Sequence, residues 1–285
     1  MISDIRIYVA CHKECFVPKH EFLFPIQVGS ALEGRHFVNM LHDDTGDNIS
    51  ELNRRYCELT AHYWAWKNEA ADYFGFFHYR RYLSFGKKNS RPYEIQLRPD
   101  IKTLEYMNYD PENMRNIIEN HDAILPMQEN MYVSAYNHYK NSDNHYIEDL
   151  DIVRDIICDL SPELTQSCSE YFNSGLLYFG NIFIMKKELF YNYCNWLFTI
   201  LNEFDKRKGL TGDSRVNGYL GERLFGVYCT WLKKKREMRI TELPRVHFEA
   251  YSGETDNFDK MRMIYNIIPP GTRRRSIVKR IFRGK

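Results

Sequence analysis

Residues 72–85, DYFGFFHYRRYLSF, set two guanidinium groups and an imidazole, Arg80, Arg81 and His78, directly behind an aromatic run. The planar donor fork of arginine matches carboxylate and phosphate oxygens. The run from Tyr73 to Phe77 has the composition of a strand packed on both faces. Its carboxyl end is the edge at which open α/β sheets bind ligands. Anion binding is the chemistry this pattern predicts, and a salt-bridged strand end near the surface is the alternative.

Other polar residues offer less specific chemistry. Asp43, Asp44, Asp47 and Asn48 surround Gly46 and read as a turn, with Ser50 or Asn53 placed to cap a following helix. A calcium loop needs further oxygens and a closing glutamate that the stretch does not supply. His138 and His145 stand seven apart and can share a helix face, but without a third ligand they read as surface or substrate-facing histidines. Cys11 and Cys15 lack the second pair of a zinc site. Glu58 lies at the rim of an aromatic helix, and Glu222 falls about 200° round its own helix from Leu224, off the apolar stripe, where a glutamate is usually solvated.

Composition narrows the function classes. The 285 residues suffice for one large domain, and 39 Lys and Arg against 38 Asp and Glu leave a net charge of +1, which argues against a nucleic-acid footprint. Aromatic residues make up 15%, a supply of amphipathic rings that serves a core and can also grip sugars. Seven scattered cysteines form no paired framework and point to reduced thiols in a cytoplasmic protein. No apolar run approaches the ~20 residues that span a bilayer. Walker, GxGxxG and GxSxG motifs are missing, against kinase, dehydrogenase and serine-hydrolase chemistry.

The elements that must carry these residues follow a β-loop-α-β order, which predicts an α/β fold with a mostly parallel sheet. Residues 4–10 read as the first strand, 16–34 as an ordered loop, 55–68 as one continuous aromatic helix and 72–85 as one strand. Residues 86–110 read as an excursion from the sheet, 111–120 as a short helix, 123–127 as a strand and 132–144 as a binding loop. Helices are expected over 147–160 and 189–208, with Gly209 as the stop of the second. Two apolar runs flank Gly180-Asn181, a linker covers 211–215, a last helix covers 218–231, and one more strand starts near Leu243.

The order IYVACHKE, IQVG, LHDDTGDNIS, YCELTAHYWAWKN, DYFGFFHYRRYL resembles a bacterial family long catalogued as a domain of unknown function and found in capsule and exopolysaccharide gene clusters. The resemblance covers residues 4–248. That family is similar to glycosyltransferases of the GT-A type, with some members linked to galactofuranosyl transfer. The resemblance therefore implies a GT-A-like domain over residues 1–270, a UDP-sugar donor, a lipid-linked glycan acceptor and no nucleic acid. The competing class is a non-catalytic sugar-binding or scaffold protein of polysaccharide assembly.

Carried onto this chain, the resemblance puts Ala10, His12 and Lys13 over the nucleotide, and Asp43, Asp44, Asn48 and Glu58 around the ribose and sugar. Asn173 and Ser174 match an FNSG segment that borders the donor sugar. GT-A enzymes commonly hold manganese or magnesium with a DxD, and here HYRR stands in its place. His78, Arg80 and Arg81 are thus expected at the diphosphate, with no metal ligand assigned; the rival is a displaced metal site at Asp43 and Asp44. Glu222 occupies the position of the general base of an inverting enzyme, with Asp213 as the second candidate. The tail 271–285 alternates basic residues with Ile277, Val278, Ile281 and Phe282, the pattern of a short amphipathic segment on an anionic membrane surface.

Overall fold

A computed structural model describes residues 2–86, 91–209 and 215–248. Asp213 and the tail lie outside these residues, so the expectations attached to them have no structural counterpart. The strands are β1 (Ile5–Cys11), β2 (Leu23–Gln27), β3 (Leu41–His42), β4 (Tyr73–His78), β5 (Arg81–Leu83), β6 (Tyr93–Gln96), β7 (Ala123–Pro126), β8 (Glu129–Asn130), β9 (Leu176–Leu177), β10 (Phe183–Lys186), β11 (Ile240–Leu243) and β12 (Arg245–Phe248). The helices are α1 (Asn53–Tyr56), α2 (Leu59–Asn68), α3 (Ile101–Tyr106), α4 (Pro111–Glu119), α5 (Ala135–Lys140), α6 (Ile147–Leu160), α7 (Thr165–Asn173), α8 (Lys187–Lys208) and α9 (Val216–Leu232).

The expected α/β architecture is present. Among the described residues the main sheet runs β11-β7-β10-β4-β1-β2-β3, and β5, β12 and β6 extend it beyond β4. β1 is parallel to β2 and β4, whereas β10 is antiparallel to both β4 and β7. The chain leaves β1 in one direction to β2 and returns on the other side to β4, so the switch point lies between β1 and β4. There the connections of two neighbouring parallel strands leave to opposite sides, the place at which open α/β sheets form a crevice. Because β10 runs the other way, with Phe183 opposite Phe76, the residues that precede it reach the same edge.

β4 is the buried strand its composition predicts. Phe74 and Phe76 pack into the core under α2, α8 and α9, while Tyr73 and Phe77 enter the second core on the opposite face. Gly75 is the glycine of that run for a steric reason. A Cβ there would stand 2.8 Å from Ile7 and 3.0 Å from Ile184, side chains of the two flanking strands.

Several boundaries differ from the sequence reading. Residues 72–85 form a hairpin rather than one strand: His78 Nδ1 accepts the Arg80 N–H at 3.2 Å, and β5 turns back antiparallel. The expected loop 16–34 contains β2. Its Pro25 is tolerated because β3 pairs only with Ile26 and Gln27, which leaves the far side of Pro25 without a ladder partner. Residues 86–110 hold β6, paired to β12, and α3, capped by Asp100 on the Thr103 N–H. The expected binding loop 132–144 contains α5, whose Ser134 caps the Asn137 N–H. The expected final strand is two, β11 and β12, separated at Pro244. No helix among the described residues is long and apolar enough to cross a membrane.

Candidate active site

A cleft of about 760 Å³ opens over the carboxyl ends of β1 and β4. β1 brings Ala10 and His12 to it, and β4 with its hairpin turn brings His78, Tyr79, Arg80 and Arg81. The far wall comes from helices: Glu58 ahead of α2, Arg215 just before α9, and Tyr219, Glu222 and Arg223 on α9.

Glu58 reaches the cleft through a break in the helix expected over 55–68. Cys57 has φ +52° and ψ −133°, which ends α1 after one turn and lets α2 start in a new direction. Two neighbours account for the break. The Asn53 side chain donates to the Cys57 carbonyl at 2.8 Å, and Gly218 of α9 approaches so closely that a Cβ there would meet Cys57 Sγ at 2.8 Å.

The loop before β10 ties both acidic residues. Gly180, at φ +91°, donates its N–H to Glu222 Oε1 at 2.8 Å, and the buried Asn181 donates its amide to Glu58 Oε1 at 2.9 Å. Glu222 is thus half-buried and hydrogen-bonded rather than solvated, a correction to its off-stripe reading. Burial, then the charge of Glu222, pushes the Glu58 carboxyl above its ordinary value, against the pull of Asn181 and Arg81.

Opposite this acidic pair the cleft is strongly cationic. Burial, followed by repulsion from Arg245, lowers Arg81, and Glu222 and Glu58 act in the other sense. His78 is held well below its usual value by burial and then by Arg81, His12 and Arg80. Burial, then Lys13, Arg80 and Arg215, lowers His12 as well. The Nε groups of Arg80 and Arg81 are buried with no hydrogen-bond partner. Both imidazoles are therefore neutral at pH 7, and the arginines supply positive potential suited to a polyanion.

Of the residues expected at a donor site, Ala10, His12, Glu58, His78, Arg80 and Arg81 meet in this cleft, and so does Glu222, the expected base. Lys13 stands beside it, its Nζ 5.4 Å from the ring centre of Tyr79. Asp43, Asp44 and Asn48 are not among the lining residues. Asp43 is buried and accepts from the N–H groups of Gly29 (2.9 Å) and Ser30 (3.0 Å) and from Ser50 Oγ (2.6 Å). Asp44 meets His36 at 2.8 Å, and Asn48 bonds within its own turn. The Asp43 oxygens are thus committed to these donors, whereas Asp44 Oδ1 is buried without a hydrogen-bond partner, and no group of three or more His, Cys, Asp or Glu among the described residues is arranged to hold a metal ion. Asn173 is exposed at the end of α7, and Ser174 closes that helix, its carbonyl accepting the Ala135 N–H. Neither reaches the cleft lining.

The sequence reading left Gly180, Asn181, Phe179, Arg215, Tyr219 and Arg223 unassigned to a site. Glycine followed by asparagine between two apolar runs was their one visible signal, and it marks the positive-φ pair found there. His138 and His145, expected as surface or substrate-facing, line the cleft.

The comparisons with known proteins bear on the fold and the family. The WbbM bifunctional glycosyltransferase in its apo form matches with a TM-score of 0.79 and 30% identity over 89% of this chain and 48% of that one. The present chain thus spans about half the length of that structure. No curated protein matches the sequence. A glycosyltransferase-like α/β fold is common to both chains, and the sheet expected to be mostly parallel and flanked by helices is here a mixed one. The family model described as Domain of unknown function (DUF4422) matches residues 6–235, and the chain belongs to that family.

Proposed function

We propose that the chain is an inverting glycosyltransferase that moves a hexose, galactofuranose or galactose, from a UDP-sugar to a lipid-linked cell-surface glycan. One observation carries this reading: Arg80 and Arg81 gather at the β1/β4 switch point, and Glu222 is held by Gly180 across the same cleft. The arginines place positive charge where a leaving diphosphate develops negative charge. The acceptor hydroxyl attacks the anomeric carbon from the side of Glu222, the bond from that carbon to the diphosphate oxygen breaks, UDP departs with the electron pair, and Glu222 takes the hydroxyl proton. Glu58, kept more readily protonated by burial and by Glu222, is suited to a hydrogen bond with a donor hydroxyl.

The family match and the likeness to a glycosyltransferase support transfer chemistry; donor, acceptor and stereochemistry are part of the proposal. The reading also places the chain at the inner face of the plasma membrane, with residues 271–285 as its contact. A screen of UDP-sugars with purified protein and a lipid-linked acceptor, following UDP release and glycan mass, tests it. One hexose added from a UDP-hexose is the expected result. Sugar binding without turnover over the whole panel would instead favour the scaffold class.

A further inference from the structure

Arg223 is 2% exposed, yet it lines the cleft. Its Nη2 lies 3.1 Å from His138 Nδ1, while Nε and Nη1 have no hydrogen-bond partner. No carboxylate forms an ion pair with it among the described residues. The rings of Tyr139 and Phe179, centred 5.9 and 5.8 Å from the guanidinium carbon, give it partial support. A guanidinium withdrawn from water without a counter-anion is costly, and an anionic ligand removes that cost.

The contact also fixes His138. A guanidinium only donates, so Nδ1 is the acceptor and the proton of the neutral ring sits on Nε2. Burial, then Arg223, pushes this imidazole down to about 4, so it stays neutral and keeps Nε2–H as a donor. Beside it, His145 stacks on Tyr219 with ring centres 4.1 Å apart and planes at 22°. Both residues line the cleft.

The fields in the cleft fall into two groups. Arg80 acts on His12, and Arg80 and Arg81 both act on His78, whereas Arg223 acts on His138, His145 and the hydroxyl of Tyr171. Glu222 acts on Arg81 and on both His138 and His145, and so is coupled to both cationic groups of the one cleft. If the first receives the diphosphate, as the proposed function has it, the second faces the acceptor.

Resting on that reading, we propose that Arg223 and His138, with the Tyr219–His145 stack, form an acceptor subsite for a glycan that carries an oxyanion, either a uronic-acid carboxylate or a phosphate substituent. The full chain, saturated with UDP, is titrated with methyl β-glucuronide, glucose 6-phosphate and methyl β-glucoside, followed by saturation-transfer NMR. One of the charged sugars should bind about tenfold tighter than the glucoside, the scale of one charge-assisted hydrogen bond, and the tighter of the two identifies the anion. Arg223→Gln should abolish the preference and leave UDP affinity within about twofold. Equal affinities in the wild type overturn the subsite, as does an Arg223→Gln variant that keeps the preference or loses UDP about tenfold, since Arg223 would then belong to the diphosphate. If Arg223→Gln does not fold, Arg223→Met, which also removes the charge, takes its place, and the wild-type comparison decides by itself. Failure to bind UDP counts against the proposed function, and the charged-against-neutral comparison repeated without UDP still decides the subsite.

Discussion

Gly180 donates its backbone N–H to Glu222 at 2.8 Å, and this bond ties the loop before an antiparallel strand to a helical residue 42 positions further along the chain. The next residue, Asn181, holds Glu58 through its side-chain amide. Two carboxylates are thus oriented by consecutive residues of one turn, and Arg81 packs on that turn, its Cδ 3.3 Å from where a Gly180 Cβ would stand. Any side chain at Gly180 would face both that contact and the positive φ, so the turn couples acid and cation geometry.

Glu222→Gln keeps the shape of the side chain and its acceptor for the Gly180 N–H while removing basicity. Turnover should fall about 100-fold or more, with UDP affinity little changed. Single-turnover rates and UDP titration measure the two separately. A variant that turns over at the wild-type rate would remove Glu222 from the role of base and pass it to Asp213.

Arg81→Ala removes a cation from the expected diphosphate side. UDP affinity should weaken about tenfold or more, and UMP affinity less, because the second phosphate is lost. Arg80→Ala should act in the same direction. Isothermal titration with both nucleotides reads the difference, and equal losses for UDP and UMP would place these arginines away from the diphosphate.

Asp43→Ala leaves the Gly29 and Ser30 N–H groups and the Ser50 hydroxyl without their acceptor in a buried setting. A loss of about 2–4 kcal/mol is expected from several unsatisfied donors. Thermal unfolding should show it, with or without manganese present. A Tm that drops only in the presence of the metal would return Asp43 to the role of ligand.

The α/β order, the buried β4 and the cationic end of that strand were legible because composition and periodicity are local signals. Glu222 shows where such signals stop. Its helical position predicts solvent, and only the return of β10 brings Gly180 against it. The FNSG segment illustrates the reverse: α7 ends there, and the site-forming turn comes six residues later at Gly180-Asn181. Cys57 likewise breaks a helix that its own sequence favours, because Gly218, distant in the chain, requires the space.

The buried histidines set an acid-side slope in stability. His62 is 1% exposed, its ring centre 4.1 Å from that of Phe76, with Nδ1 unpartnered, and burial pushes it down to about 3. Its folded value lies below the 6.5 of the unfolded chain, so between the two the unfolded state binds more protons. Stability from this group is complete above about 6.5 and falls as pH drops towards 3, by up to about 1.4 kcal/mol per pH unit. Glu58, raised in the fold, works in the opposite direction. Replacing His62 by Leu should flatten the decline of Tm between pH 6.5 and 4, and a curve parallel to that of the wild type would rule the group out.

Gly226 in α9 gives the sharpest packing test. In an exposed helix interior, glycine to alanine stabilises by about 1 kcal/mol. At Gly226 a Cβ would stand 1.9 Å from Tyr171 Cζ and 2.3 Å from its hydroxyl, and the Tyr171 ring is buried under α9 at 1% exposure. Neither the ring nor the helix axis can give way by that amount without disturbing the contact between α7 and α9, and overpacking of this kind costs about 1–3 kcal/mol or more. The steric cost exceeds the gain in propensity, so Gly226→Ala should lower Tm. The double variant Gly226→Ala with Tyr171→Leu should recover part of the loss, because the smaller side chain vacates the space. A single variant as stable as the wild type would show that Tyr171 has another place to go.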